Sequence, residues 1–184
     1  MIDGVFVGGL SGRLKEQVGD QRNEYLGWDW DSPAKRLGLS LGEMFSQLLE
    51  HPAFDTEICA RPLFVIIRSH PGDDTTNFLI RMTGAKKNQV RALAASTLGY
   101  LREKRGISPM VAELSRAQKT RPEAIRDVEE TYFSHYACMI DALSEIRVPD
   151  PDALSILRDL AGKAHDFAIR RRAQRALAQL ERMV

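Results

Sequence analysis

Val90-Arg91-Ala92-Leu93-Ala94-Ala95-Ser96-Thr97-Leu98-Gly99 and Ile169-Arg170-Arg171-Arg172-Ala173-Gln174-Arg175-Ala176-Leu177-Ala178 lie 79 positions apart and read alike. Each opens on a β-branched residue and an arginine, passes two variable positions, and then carries small residues leading to a leucine. Small side chains at fixed places let neighbouring helix backbones approach, while the leucines fill the space between layers. A helix repeated in this way is the mark of a stacked helical array.

Working outward, the chain punctuates itself with helix starts and stops. Ser40 and Glu43 have capping-box spacing ahead of Leu41, Met44, Phe45, Leu48 and Leu49, and His51-Pro52 ends that run. A second apolar helix is expected from Glu57 to Ser69, with Pro62 able to kink it, and a short one from Asp74 to Met82. After the helix that opens at Val90, Ser108-Pro109 and Asp150-Pro151 each place an N-cap before a proline, and Asp166 caps the final helix. Between them Ile125, Val128, Tyr132, Tyr136, Met139, Leu143 and Ile146 recur every three or four residues, which predicts one continuous helix from Pro122 to about Arg147. Residues 97–101, 142–146 and 176–180 then line up as equivalent positions of successive hairpins.

Asp166-Phe167-Ala168-Ile169-Arg170 through Ala178 resembles the second helix of HEAT-like repeats, which opens Asp-x-x-Val-Arg and continues Ala-Ala-x-Ala-Leu-Gly. The segment from Val90 is similar, with Lys87 in the aspartate's place; the helix expected after Pro122 departs from the pattern, having Tyr132, Phe133 and Tyr136 where small residues are usual. The resemblance covers residues 85–184, and residues 40–84 more weakly. It implies an all-α fold, a short α-solenoid of about four helical hairpins spanning residues 41–184, preceded by an irregular N-terminal cap over residues 1–40. In such arrays the second helices line a concave face. Here those are the helices from about 57, 88, 122 and 166, which would present Arg91, Glu130, Ser134, Asp141, Arg171 and Arg175.

The arginines of the repeated pattern have a separate reading. Arg91 and Arg170 fall in a first helical turn, where the helix dipole disfavours a cation, so an outside partner must hold them. Stacking on or pairing with the preceding repeat supplies one, and both are read as structural.

The net charge of +1 hides a division: residues 1–57 hold five Lys/Arg against ten Asp/Glu, and residues 58–184 hold 21 against 15. An acidic end of this kind steers a basic partner. Both tryptophans lie there, in Gly27-Trp28-Asp29-Trp30-Asp31-Ser32-Pro33. Exposed tryptophans beside carboxylates anchor protein surfaces, so Trp28, Asp29, Trp30 and Asp31 are candidate partner-binding residues, together with Glu130, Asp141, Arg171 and Arg175. An alternative stays open, in which the two rings close the end of the core.

The residues point away from catalysis. His51, His70, His135 and His165 are scattered without metal-ligand spacing, and Gly8-Gly9-Leu10-Ser11-Gly12 lacks the Lys-Ser/Thr of a phosphate loop. No metal, cofactor or catalytic residue is expected. Two distant cysteines, Cys59 and Cys138, fit ordinary thiols of a reducing compartment, and neither a targeting segment nor a membrane-length apolar run is read, so a cytoplasmic protein is expected. The functional expectation is a non-enzymatic protein-binding module, by analogy a bacterial toxin-neutralising immunity protein or a scaffold subunit. The alternative is a nucleic-acid-acting protein resembling the HEAT-like alkylpurine DNA glycosylases. Consecutive arginines such as Arg170-Arg171-Arg172 fan about 100° apart around a helix, which argues against their tracking one strand of phosphates.

Overall fold

The computed structural model describes residues 7, 30–126 and 134–183 of the chain. Those residues are all-α: helices, two 3-10 turns and connecting loops, with no strand among them. In order they form α1 (Asp31–Arg36), α2 (Leu41–Glu50), α3 (Thr56–Ser69), α4 (Asp73–Met82), α5 (Asn88–Tyr100), α6 (Ile107–Thr120), α7 (His135–Ile146), α8 (Pro151–Lys163) and α9 (Phe167–Glu181). The chain divides into two compact units, Met1–Phe78 and Leu79–Val184. No helix among the described residues is long and apolar enough to cross a membrane.

The first unit is organised by aromatic rings and one carboxylate. Trp30, 3% exposed, meets Phe45 edge-on at 6.2 Å, Phe45 meets Phe78 at 6.0 Å, and Phe78 meets Phe64 at 6.1 Å. Ser40 caps α2 through the full capping box read from the sequence, its hydroxyl accepting from the Glu43 N–H at 3.2 Å while the Glu43 carboxylate accepts from the Ser40 N–H at 2.9 Å. Asp74 closes the same helix end from α4, accepting from the Gly42 N–H at 2.5 Å and from the Ser40 hydroxyl at 2.9 Å. Gly42 is required there: a Cβ would stand 2.8 Å from the Asp74 carbonyl oxygen. α3 continues past Pro62 to Ser69, starting from Asp55, which accepts from the Ile58 N–H at 3.3 Å.

In the second unit, α5 packs on α7 and α7 on α9, giving one row of helices. α6 and α8 pack on each other and form a second row, α6 against α7 and α8 against α9. The core between the rows holds Met110 and Leu114 of α6, Met139, Ile140 and Leu143 of α7, Leu157 and Leu160 of α8, and Ile169, Ala173, Ala176 and Leu180 of α9. Asp150 caps α8 by accepting from the N–H groups of Asp152 and Ala153 at 3.0 Å each, and Asp166 caps α9 by accepting from Ile169 at 3.0 Å.

Two starts differ from the sequence reading. α6 begins at Ile107, wound directly onto a 3-10 turn at Lys104–Gly106, so Ser108 is inside the helix and not its cap. Pro109 causes no loss there, because first-turn N–H groups have no intrahelical acceptor. The continuous helix expected from Pro122 to Arg147 is also interrupted. Pro122–Ala124 is a single 3-10 turn, Ile125 and Arg126 are not helical, and Ser134 stands outside α7 as its N-cap, accepting from the Ala137 N–H at 3.4 Å.

Candidate functional site

α9 ends in a face built from one helical stripe. Arg175, Ala178, Gln179 and Arg182 follow at i, i+3, i+4 and i+7 and therefore project from one side, while Ile169, Ala173, Ala176 and Leu180 occupy the buried side. Together with Arg147 at the end of α7 and Met183, this stripe lines a groove of about 670 Å³. A space of that size accommodates several side chains of a ligand.

Two contacts tie α9 to α7 at this face, and a third holds α9 to α8. The Gln179 side-chain amide donates to the Ser144 carbonyl at 3.1 Å, joining the Arg147 N–H, which donates to the same last-turn oxygen of α7 at 3.2 Å. Arg172, one turn before the stripe, is hydrogen-bonded and ion-paired to Asp141 of α7. Glu181 turns the other way and pairs with Arg158 of α8 at 2.9 Å. Of the acids on the two helices that form the groove, Glu181 and Asp141 are thus already engaged.

Its arginines are not. Across the second unit, Arg91 and Arg116 share Glu113, Arg105 pairs with Glu103, Arg158 with Glu181 and Arg172 with Asp141. Among the described residues none supplies a carboxylate to Arg147, Arg175 or Arg182, all of them exposed. Arg147 and Arg182 occupy the C-cap positions of α7 and α9, where a cation gains from the helix dipole. Arg175 lies nearly two turns earlier, beyond the reach of that effect. Arg147 has the left-handed backbone, φ 59° and ψ 36°, which ends α7 ahead of Pro149 and costs a non-glycine residue about 1 kcal/mol.

The residues expected to bind a partner are distributed unevenly. Trp28, Asp29 and Glu130 lie outside the described residues. Trp30 is buried against Phe45, so its ring belongs to the core of the first unit and offers no surface anchor; Asp31 is exposed in the first turn of α1. Asp141 is held by Arg172 beside the groove, and Arg175 lines it. Arg171 projects elsewhere, with Arg170, each guanidinium 5.7 Å from the ring of Phe167, itself 63% exposed. Ser134 is buried as a helix cap. Arg147 and Gln179 were not singled out by the sequence, although Arg147 and Arg182 are 35 residues apart, close to the spacing of the aligned hairpins.

The two arginines of the repeated pattern are anchored by different means. Arg170 donates to the carbonyls of Ala164 and His165 at 2.6 and 3.2 Å, closing the C-terminal end of the preceding helix, α8. Arg91 reaches forward instead, to Glu113 of α6 at 3.2 Å, and to Asn88 on its own helix. His135 belongs to this second cluster. It is 6% exposed, and burial followed by the charge of Arg91 holds its pKa down to about 4, against the weaker opposing influence of Glu113. The imidazole is therefore neutral near pH 7.

Among the described residues no group of three His, Cys, Asp or Glu side chains is placed to hold a metal ion. The fold and groove define the class as an all-α protein with a cationic surface cleft. No protein-family model, curated protein or solved structure matches the chain.

Proposed function

We propose that this chain is a non-enzymatic protein-binding module of HEAT-like form, of the kind represented by toxin-neutralising immunity proteins and scaffold subunits, and that the α7–α9 groove is its contact surface. What supports the reading is the gathering of charge: Arg147, Arg175 and Arg182 line one cleft, and among the described residues none supplies a carboxylate to any of them. Arginine is enriched at the energetic centres of protein interfaces, since its flat guanidinium both packs and makes paired hydrogen bonds. The row of α5, α7 and α9, with α6 and α8 behind it, supports the HEAT-like part of the proposal.

The groove also favours protein over duplex nucleic acid. Three guanidiniums around one cleft make a local site, whereas a duplex requires cations spread along its phosphate track. Capture of a binding protein by the tagged full chain from host extract, followed by calorimetric titration of the purified pair, tests the reading. Replacing Arg147, Arg175 and Arg182 together is expected to weaken that binding by at least about tenfold, equivalent to about 1.4 kcal/mol. Unchanged affinity would remove the groove from the interface.

A further inference from the structure

The ligand chemistry of the groove can be taken further, on the footing of the protein-binding reading above. We infer that the groove receives an acidic segment of the partner protein, with carboxylates of that segment seated on Arg147, Arg175 and Arg182.

Charge complementarity carries the inference. The lining residues are three arginines, one amide and the short or flexible apolar side chains of Ala178 and Met183, with no carboxylate among them. Two acids that could have neutralised the cleft are withdrawn: Glu181 is held by Arg158 on its far side, and Asp141 by Arg172. Gln179 is committed to the Ser144 carbonyl, which fixes the wall from which Arg175 and Arg182 project. A guanidinium accepts a carboxylate in a two-pronged arrangement, and hydrogen bonds between ionised partners are the strong ones. Ala178 and Met183, the latter 41% exposed, provide an apolar surface for the methylenes and small apolar side chains between the acids. A segment mixing Glu or Asp with Leu or Ala therefore fits both features. The carbonyl end of α7 gives a further reason for exact placement of charge: Arg147 accepts an unfavourable backbone conformation at a position that suits glycine, and its guanidinium lies at the groove.

The test uses the full-length protein and a short fluorescent peptide of alternating Glu and Leu, followed by fluorescence anisotropy over a salt series. Controls are the same peptide with Gln for Glu, and a single-stranded and a duplex oligonucleotide of similar charge. Arg147→Gly, Arg175→Gln and Arg182→Gln are compared with wild type and with Arg121→Gln, a change at an exposed arginine that ends α6 away from the groove. The Glu peptide is expected to bind, weaken as salt is raised, and lose at least about tenfold in affinity in the Arg147→Gly/Arg175→Gln double variant, with Arg121→Gln unaffected. Circular dichroism melting checks that each variant is folded, and the single variants stand in for a double variant that is not. Absence of peptide binding, equal binding of the Gln peptide, or equal loss in Arg121→Gln would overturn the inference. Tighter binding of either oligonucleotide would overturn it in favour of phosphate recognition. Because a partner captured through another surface would still bind when the peptide does not, failure here is distinguishable from failure of the protein-binding reading.

Discussion

Ala142 of α7 stands where a side chain on Gly99 of α5 would have to go: a Cβ built on Gly99 falls 2.8 Å from the Ala142 Cα and 2.6 Å from Glu145 Oε2. The two helices are as close as their backbones permit, and the small residues of the repeated pattern are what permit it. Gly99→Ala should therefore destabilise the protein, by about 1–3 kcal/mol of overpacking, even though alanine gains up to about 1 kcal/mol over glycine inside a helix. Chemical denaturation monitored by circular dichroism reads the sign. A stabilised variant would mean that α5 and α7 are not in contact at this point.

Asp74 binds the start of α2 through Ser40 and Gly42, both backbone and hydroxyl donors, at a helix end where negative charge is favoured. Asp74→Ala strands the Gly42 N–H and removes a charge-assisted pair of bonds, so a loss of about 2 kcal/mol is expected. Asp74→Asn should recover part of it. Thermal unfolding of the two variants side by side checks the order.

His135 provides a pH-dependent term whose sign follows from its burial. Unfolded, the imidazole titrates near the ordinary value of about 6.5; folded, it is held down to about 4 by burial and by Arg91. Between those values the unfolded chain binds the extra proton, so stability falls as the pH drops from 6.5 toward 4 and the loss is complete below the folded value. The stability difference between wild type and His135→Gln should accordingly shift against wild type by about 1–3 kcal/mol over that interval. Urea denaturation at a series of pH values measures it, and a constant difference would place His135 in a solvated site.

Arg147 separates stability from binding. Glycine tolerates the left-handed backbone that ends α7 at no steric cost, so Arg147→Gly is expected to leave the fold intact or stabilise it by up to about 1 kcal/mol. Partner binding should weaken in the same variant. Thermal melting and calorimetry on one preparation provide both readouts, and a variant that melts lower without losing affinity would assign Arg147 to structure alone.

Much of the helical architecture is legible in the amino-acid sequence. Ser40, Asp150 and Asp166 announce helix starts by a local rule, and each makes the expected bond. Apolar spacing found the core-facing residues Val90, Ala94 and Leu98, and Ile169, Ala173 and Ala176. The start of α7 was not legible, because Ile125, Tyr136 and Met139 keep a helical phase across Ser134 and periodicity cannot report a break that preserves phase. The site was harder still. Arg175 stood out as part of a basic cluster, yet the groove depends on where Glu181 and Asp141 turn and on Gln179 reaching a neighbouring helix. Such pairings across 23 to 35 residues have no local signature. Trp30, conspicuous by composition, lies in an aromatic core.

Hydrogen–deuterium exchange of the full chain, with and without saturating captured partner, tests the central claim most directly. Protection on binding should concentrate in residues 144–148 and 172–183, the end of α7 and the outer stripe of α9, and be reduced in the Arg147→Gly/Arg175→Gln variant. Protection confined to other segments, with these two unchanged, would contradict the assignment of the groove as the partner-binding surface.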